Sequence, residues 1–571
     1  MKTTGTLLIG WILCAIIAGG CADETNSSRE DQSSDVDASD GDTDTESKTD
    51  SETETESESE SESDTDTGAP WNTRFDAFAE ALKDDLANSD ALGISAAVLE
   101  NGEVVFAEAF GFKDAAETET LTPDTLMQIG STTKQMTAVL LLQKVADGSL
   151  SLDDTLDAAL PGFEFILDET WDDEVTVRHL LSQQSGIFDW TPWSGPADDS
   201  ELIDYTFGEF ADEVYLMNPP GAFFNYSNPN YVLAGLLAET EDTRAYPDLM
   251  TETIFAPLGM DRTFLRKSEV EEDGDYSLSF GFTNDNTSND SQGEVSMDEM
   301  QDFAWVRPAG LAWTTPTQMM RWADFMMNGD ESVLSDALRK EMETSHGTIY
   351  PDVDMSGYGY GLFVDRGFIA ENGLWYETPI LQHGGNTLSF THELYMLPEY
   401  DFAVSICSSA YGDDLSHSVL TALTTLVDLP AGSAPPIGLP DPDLFDRHVG
   451  EYLDPWLSGR MIITREGDDL RIAMPDLTAA GLTVEPELTA ATSRIFFATI
   501  DDERYDLAFI SETPDGPSMY VRNRLLVAER VETASTTTTA RRLPAVSPSA
   551  LKHPLPVPRL IRALAEQHAF Q

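Results

Sequence analysis

The chain is poor in cysteine and in positive charge. Three cysteines occur among 571 residues, and 32 Lys and Arg stand against 103 Asp and Glu, so the formal net charge is −71. So acidic a balance argues against nucleic acid and against anionic membrane surfaces as partners. Cys14 and Cys21 both lie within residues 1–21, where Cys14 is expected to leave with an export signal and Cys21 to carry lipid, so Cys407 has no partner for an intramolecular disulfide. Cys407 lies in the apolar run DFAVSICSS and is expected to be a buried core residue.

Several catalytic and structural signatures are also missing. The sequence has no Gly-x-Ser-x-Gly, which argues against an α/β-hydrolase with a nucleophile elbow. No His-x-His or His-Glu-x-x-His occurs among the eight histidines, so the usual zinc hydrolase signatures are absent. We therefore expect neither a metal nor a cofactor. No internal repeat is visible, which argues against a structural adhesin built from repeats.

The N-terminal segment has the pattern of an export signal. Residues 1–21 combine Lys2 with an apolar run that is short for a membrane span. The run ends in Ala-Gly-Gly-Cys21, which resembles the lipobox of bacterial lipoproteins, in which the cysteine is lipidated and becomes the N-terminus. Ordinary signal cleavage nearby is the alternative. The lipobox interpretation predicts an exported protein of the bacterial cell envelope. The protein would be anchored at the outer membrane or the periplasmic face, and only through lipid on Cys21.

Composition divides the rest of the chain. Residues 22–69 are almost wholly Asp, Glu, Ser and Thr, which predicts an extended, disordered linker. Residues 70–430 have the pattern of an α/β domain, 431–442 of a proline-rich linker and 443–531 of a smaller all-β domain. The Thr- and Pro-rich tail at 532–571 is predicted to be disordered.

The strand patterns of the α/β domain lie at its two ends. Two β-prone runs flank Asn101 and Gly102, a strong hairpin signal, and further strand patterns follow residue 355. Mostly helical patterns lie between them. The order predicts one sheet that joins both ends of the domain and carries helices on its faces.

The stretch QIGSTTKQMTAVLLLQKVADG contains the main catalytic candidate. It predicts a short strand followed by a helix that opens on Ser131 and stops at Gly148. Ser131 and Lys134 are three residues apart, which at helical spacing places hydroxyl and ammonium on one face near a helix N-terminus. A lysine in that position can activate a serine without histidine. Ser549 and Lys552 have the same spacing, but they lie in a proline-studded segment with no apolar helix after them.

Two further motifs follow in order, Tyr226-Ser227-Asn228 and His383-Gly384-Gly385. Ser-x-x-Lys, Tyr-x-Asn and a basic residue before glycine together resemble the penicillin-recognising serine hydrolases. These include class C β-lactamases, D-alanyl-D-alanine carboxypeptidases and their esterase and aminopeptidase relatives. The stretches MQIGSTTKQMTA, PGAFFNYSNPNYVLAGLL, RPAGLAWTT and YGYGL extend the resemblance over about residues 75–430. It implies an antiparallel sheet flanked by helices, with a helical subdomain, followed by the smaller all-β domain.

The resemblance also implies a mechanism. Ser131 would attack an amide or ester carbonyl and form an acyl-enzyme, with Lys134 holding the site positive. Tyr226, its pKa lowered by nearby cations, would take the proton of Ser131, although either Tyr226 or Lys134 can be the general base in such sites. Asn228 would bind the Lys134 side or a substrate amide.

The third motif is implied to bind substrate. The backbone N–H groups of Ser131 and Asn386 would form the oxyanion hole, and Gly384 and Gly385 would leave room for substrate along the strand. His383 stands where β-lactamases usually carry lysine, whose permanent charge attracts a substrate carboxylate. A histidine supplies that charge only partly at neutral pH, so β-lactamase activity is in doubt.

The sequence thus favours a lipid-anchored serine hydrolase acting on a small-molecule or peptide substrate. The alternative is a catalytically silent cell-envelope binding module that uses the same fold, and the retained Ser131, Lys134 and Tyr226 argue against it. The substrate (β-lactam, D-amino-acid peptide, ester or lactone) and the oligomeric state are left open.

Overall fold

The computed structural model describes residues 73–165, 171–189, 195–283 and 292–531. The predicted export signal with Cys21, the linker at 22–69 and the tail at 532–571 lie outside these described residues. None of the described helices is long and apolar enough to cross a membrane. The described part of the chain contains a helix-flanked sheet followed by a closed barrel.

Most strands of the first part belong to one antiparallel sheet. In chain order the strands are β1 (Gly93–Glu100), β2 (Glu103–Gly111), β3 (Met127–Gln128), β4 (Ser279–Gly281), β5 (Gly293–Val295), β6 (Trp313–Thr314), β7 (Gly347–Tyr350), β8 (Val353–Tyr358), β9 (Phe363–Ile369), β10 (Trp375–Asn386), β11 (Thr391–Leu397) and β12 (Phe402–Ser408). Eight of them form the main sheet in the order β2-β1-β12-β11-β10-β9-β8-β7. The short strands pair separately, β3 with β6 and β4 with β5.

The sheet joins the two ends of the first part, as predicted. Asn101 and Gly102 form the turn between β1 and β2 with φ of 50° and 76°, a left-handed conformation that favours glycine and asparagine. On its other side β1 pairs with β12, so that Ala97 lies opposite Ser405. Both the hairpin and the closure of the sheet are therefore confirmed.

Helices cover both faces of the sheet. In chain order they are α1 (Asp76–Ala87), α2 (Thr133–Asp147), α3 (Leu156–Ala159), α4 (Val177–Leu181), α5 (Glu201–Tyr205), α6 (Pro229–Asp242), α7 (Tyr246–Met250), α8 (Lys267–Asp273), α9 (Arg307–Gly310), α10 (Pro316–Asn328), α11 (Asp336–Met342) and α12 (Ser416–Leu426), whereas the short helix α13 (Pro475–Ala479) belongs to the barrel. Alternate residues of β1 face opposite ways, as the two-residue period of a strand requires. Ala96 and Val98 pack with α1 and α12, whereas Ala97 and Leu99 belong to the larger core around α2, α6 and α10.

The second part is an all-β barrel. Its strands are β13 (Gly450–Asp454), β14 (Gly459–Glu466), β15 (Asp469–Ala473), β16 (Glu487–Ala490), β17 (Ile495–Ile500), β18 (Glu503–Ile510), β19 (Tyr520–Asn523) and β20 (Leu526–Arg530). Pairing of β13 with β20 closes it, and the buried side chains of Tyr452, Phe496 and Phe509 fill it. The predicted all-β part is confirmed.

The barrel packs against the first part through a mixed apolar cluster. Phe224, Tyr358 and Trp375 of the first part share this cluster with Ile495 and Phe497 of the barrel. The contact lies beside the segment that carries Tyr226, so the barrel reaches the region of the candidate site.

Candidate active site

Ser131 lies in a tight turn at the entrance to α2. The turn, Gly130–Thr132, is a 3₁₀ turn that follows β3, and α2 itself begins at Thr133. The sequence predicted that the helix would open on Ser131, so the structure moves its first α-helical residue two positions onward. Gly130 has φ of 51°, a left-handed conformation that glycine adopts without strain. Gly148, also left-handed, ends α2 as predicted.

Lys134 connects the nucleophile candidate to three neighbours. Its Nζ donates to Ser131 Oγ at 2.9 Å, to Asn228 Oδ1 at 2.8 Å and to the carbonyl oxygen of Ala309 at 2.5 Å. The side chain is fully buried. Burial, and secondarily the charge of Arg524, hold the pKa of Lys134 well below its usual range. The resemblance implies that Lys134 holds the site positive, whereas this lowered pKa favours the neutral amine. The two hydrogens of the neutral amine can donate to Asn228 and Ala309, and its lone pair can then accept the hydroxyl proton of Ser131.

Tyr226 lies on the other side of Ser131. Its hydroxyl is hydrogen-bonded to Ser131, and its ring centroid lies 5.1 Å from Lys134 Nζ. The sequence led us to expect that cations would lower the pKa of Tyr226, and this is wrong. Burial raises the pKa, and the opposing effects of Arg524 and of the bond to Ser131 are smaller. Tyr226 therefore remains a neutral phenol that can both donate and accept a hydrogen bond.

Asn228 holds Lys134 from the start of α6. Its Oδ1 accepts from Lys134 Nζ, and its backbone N–H donates to Asp189 Oδ1 at 2.8 Å. The Asp189 side chain is completely buried and forms an ion pair with Arg524 of the barrel. Lys134 thus holds the side chain of Asn228, and Asp189 holds its backbone.

His383 is buried within β10. Its Nδ1 donates to the carbonyl oxygen of Gly384 at 2.6 Å, and its Nε2 accepts from the Tyr358 hydroxyl at 3.3 Å, an assignment that follows from the partners. The residue is 2% exposed, and burial lowers its pKa to about 3. His383 is therefore neutral near neutral pH and supplies no charge for a substrate carboxylate there.

Gly385 allows β10 to approach the nucleophile turn closely, whereas a Cβ on the neighbouring Gly384 would meet the side chain of Glu393. A Cβ placed on Gly385 would lie 1.9 Å from the carbonyl oxygen of Ile129 and 2.8 Å from Ser131 N. A Cβ on Gly130 would lie 2.4 Å from Asn386 N. The two backbone N–H groups predicted for the oxyanion hole, those of Ser131 and Asn386, thus belong to segments in direct contact.

Because of this contact, a single methyl group added at Gly385 is expected to reduce activity strongly. Gly385→Ala is expected to lower kcat/KM toward an activated ester by about 10²-fold, because backbone atoms cannot yield and β10 must move away from Ser131. Steady-state kinetics and a melting curve measure the change. Gly208→Ala is the matched control, since a Cβ there meets nothing within 4 Å. Wild-type kinetics in Gly385→Ala would contradict the close approach.

Two residues of the site had no signal in the sequence. Asp189 follows a helix-rich stretch without a recognisable motif, and Arg524 lies in the turn between β19 and β20, more than 300 positions further on. Their pairing depends on the docking of the barrel, which local patterns do not encode. Within the described ranges, no group of three or more histidine, cysteine, aspartate or glutamate side chains is arranged to hold a metal ion.

A helix-flanked antiparallel sheet with serine and lysine at the start of a buried helix defines the β-lactamase and transpeptidase class of folds. A family model described as Beta-lactamase matches residues 78–427, and the chain belongs to that family.

Curated relatives match only part of their own length. Protein flp of Staphylococcus aureus is 22% identical over 335 residues, which cover 57% of this chain and 61% of that protein. D-aminopeptidase of Brucella anthropi is 29% identical over 272 residues, 47% of this chain and 48% of that protein. In both cases the matched region is less than two thirds of the relative.

Solved structures resemble the fold over more of the chain. SurE has a TM-score of 0.59 at 21% identity and covers 80% of this chain and 99% of that one. The octameric penicillin-binding protein homologue from Pyrococcus abyssi has a TM-score of 0.52 at 23% identity, covering 76% and 96%. The D-amino acid amidase from Ochrobactrum anthropi SV3 has a TM-score of 0.51 at 22% identity, covering 62% and 99%.

Proposed function

We propose that this protein is a serine hydrolase that cleaves an amide or ester bond through an acyl-enzyme on Ser131. The observation that carries the proposal is the setting of Ser131 Oγ, which lies 2.9 Å from the buried Nζ of Lys134 and is hydrogen-bonded to the Tyr226 hydroxyl. A binding module has no need of a nucleophile between a lysine whose pKa is lowered and a neutral phenol.

The geometry supports Lys134 as the base in the first step. Ser131 Oγ forms a bond to the substrate carbonyl carbon while its proton passes to the neutral Lys134 amine. The carbonyl oxygen becomes an oxyanion, which the N–H groups of Ser131 and Asn386 would stabilise. When the intermediate collapses, the C–N or C–O bond breaks and the leaving group takes the proton held by Lys134, which the Tyr226 hydroxyl is placed to relay. Water then attacks the acyl-serine by the same steps in reverse.

The substrate is proposed to be an amide, peptide or ester that does not depend on His383 for charge recognition. The neutral, buried His383 offers a substrate carboxylate no counter-charge, which argues against penicillins as good substrates. Two similar proteins are named D-aminopeptidase and D-amino acid amidase, and their names make D-amino acid amides the first substrates to test.

A substrate panel tests the proposal. Purified protein would be assayed with D- and L-alanine p-nitroanilide, p-nitrophenyl acetate and a chromogenic cephalosporin. We expect turnover of the ester and of at least one anilide, and little turnover of the cephalosporin. Absence of any turnover by folded protein would favour the catalytically silent cell-envelope binding module instead.

We also propose that the protein is exported and anchored to the cell envelope through lipid on Cys21. Residues 1–21 support this with their apolar run and the small residues before the cysteine. Labelling with a clickable fatty acid in a bacterial host should be lost in Cys21→Ser. Equal labelling of both forms would contradict the anchor.

Because His383 is neutral, we predict that it does not contribute to the pH dependence of activity near neutral pH. Because its pKa lies near 3, protonation begins only well below the ordinary histidine range, so His383 should not shape activity between about pH 5 and 8. The low-pH side of the pH profile of kcat/KM, called the acid limb here, should instead report protonation of Lys134. Activity should rise with pH through that limb. We expect His383→Asn to lower activity but to leave the limb at the same pH. Disappearance of a limb near the ordinary histidine pKa in this variant would show that His383 titrates.

A further inference from the structure

The barrel places a charged side chain in the candidate active site. The turn between β19 and β20 carries Arg524, whose Nε and Nη2 lie 2.7 Å and 2.5 Å from Asp189 Oδ2. The guanidinium carbon also lies 4.5 Å from the centroid of the Tyr226 ring, within the range of a cation–π contact. The tip of one barrel hairpin thus touches both a buried carboxylate and the phenol that contacts Ser131.

The hairpin is held against the same segment by further bonds. Asn225 Nδ2 donates to the carbonyl oxygen of Arg524 at 3.2 Å. Arg522, fully enclosed at the same end of the barrel, donates to the carbonyl oxygens of Phe224 and Ile349. Because these bonds flank Tyr226 on its N-terminal side, the position of the hairpin and the position of Tyr226 are coupled.

Asp189 carries this coupling to the catalytic lysine. Its two carboxylate oxygens have different partners: Oδ2 pairs with Arg524, whereas Oδ1 accepts from the backbone N–H of Asn228 at 2.8 Å. Asn228 Oδ1 in turn accepts from Lys134 Nζ, which donates to Ser131 Oγ. A continuous path of hydrogen bonds therefore runs from the barrel to the nucleophile.

We propose that Arg524 and Asp189 form a positioning pair through which the barrel completes the active site, with Arg524 orienting Tyr226 and Asp189 orienting Asn228. This inference rests on the proposed function, because it assigns the pair a role in activating Ser131. The first part of the chain is then an incomplete catalyst without the barrel hairpin.

The two charges of the pair act on Lys134 in opposite directions. The cation of Arg524 lowers the pKa of Lys134 and the carboxylate of Asp189 raises it, and burial is the largest influence. In the part of the chain that the structure describes, Tyr226, Tyr231 and His383 also face Lys134, the tyrosines as phenols with raised pKa values and the histidine as a group that is neutral near neutral pH. None of them offsets the loss of either member of the pair.

Opposite pH shifts therefore test the proposal. Arg524→Gln removes the cation, so the acid limb of kcat/KM should move to higher pH. Asp189→Asn leaves the cation unbalanced, so the limb should move to lower pH. Arg524→Lys keeps the charge and should keep the limb near its wild-type pH. We expect kcat to fall about 10- to 100-fold in Arg524→Gln while KM changes little, since the proposed role of the pair is to orient Tyr226 and Asn228 rather than to bind substrate.

The control is Arg504→Gln, another barrel arginine that lies over an aromatic ring, that of Phe497 at 4.3 Å, but on the exposed surface of β18. It should leave both kcat and the limb unchanged. If Arg524→Gln does not fold, as judged by its melting curve, Asp189→Asn still gives the sign of the charge effect, and Arg524→Lys serves as the variant that keeps the charge.

The outcomes separate this inference from the proposed function. Labelling of Ser131 by a fluorophosphonate in the wild type, with limb shifts of opposite sign in the two neutral variants, supports the positioning pair. Labelling of the wild type with shifts of the same sign, or with no shift in any folded variant, overturns the pair but leaves the hydrolase intact. Absence of labelling in the wild type overturns the hydrolase itself.

Discussion

Replacing Ser131 with alanine is expected to lower kcat for ester and amide hydrolysis by about 10⁴- to 10⁶-fold, because the acyl-enzyme route loses its nucleophile. The remaining groups can still bind substrate, so KM should change little. The melting temperature should also stay close to that of the wild type, since Ser131 is only half-buried and its main partner, Lys134, retains two other acceptors. Burst kinetics and steady-state kinetics with p-nitrophenyl acetate measure the loss.

The sequence supplies a matched control for this variant. Ser549 stands three residues before Lys552, the same spacing as the proposed catalytic pair, but in a proline-studded segment. Ser549→Ala should therefore hydrolyse the ester at the wild-type rate. Retention of more than about a tenth of the activity in Ser131→Ala would assign the nucleophile elsewhere.

Replacing Lys134 is expected to give the second largest loss. Lys134→Met should lower kcat/KM by about 10³- to 10⁴-fold, because it removes both the base and the bond that holds Ser131. It should also destabilise the fold, since Asn228 Oδ1 and the carbonyl oxygen of Ala309 lose their donor in a buried place. Kinetics and a denaturation curve, run together, separate the two effects.

Lys134→Arg distinguishes a base from a fixed charge. Arginine keeps a positive charge at all working pH values and cannot accept a proton, so a site that needs the neutral amine should lose as much activity as in Lys134→Met. A site that needs only positive charge should keep much of its activity in Lys134→Arg. Lys144→Arg on the same helix is the control, because Lys144 is engaged with Asp242 away from Ser131. Activity of Lys134→Arg near the wild-type level would leave Tyr226 as the base.

The features that the sequence predicted well are those set by local pattern. The turn at Asn101 and Gly102 depends on two residues that favour positive φ, and the structure has it there. The Ser131 and Lys134 pair follows from the pitch of a helical turn, which brings side chains three residues apart onto one face. The burial of Cys407 follows from its apolar strand, and the structure places it in the core.

The features that it missed depend on contacts between distant segments. The sign of the Tyr226 pKa shift was mistaken because cations were considered and the larger effect of burial was not visible. Whether His383 is charged depends chiefly on its burial within the folded sheet, which the sequence around it does not show. Arg524 reaches Asp189 only after the barrel has docked, so no motif near either residue could have paired them.

The central claim is that Ser131 forms a covalent acyl-enzyme, and mass spectrometry tests it most directly. The purified full-length protein and Ser131→Ala would each be exposed to a fluorophosphonate and, separately, to a penicillin, then weighed intact and mapped by peptide digestion. We predict one fluorophosphonate adduct per chain, located on Ser131 and absent from the variant, and weak or no penicillin adduct because His383 carries no charge. A folded wild-type protein that takes up neither reagent, or an adduct that persists in Ser131→Ala, would contradict the assignment of Ser131 as the nucleophile.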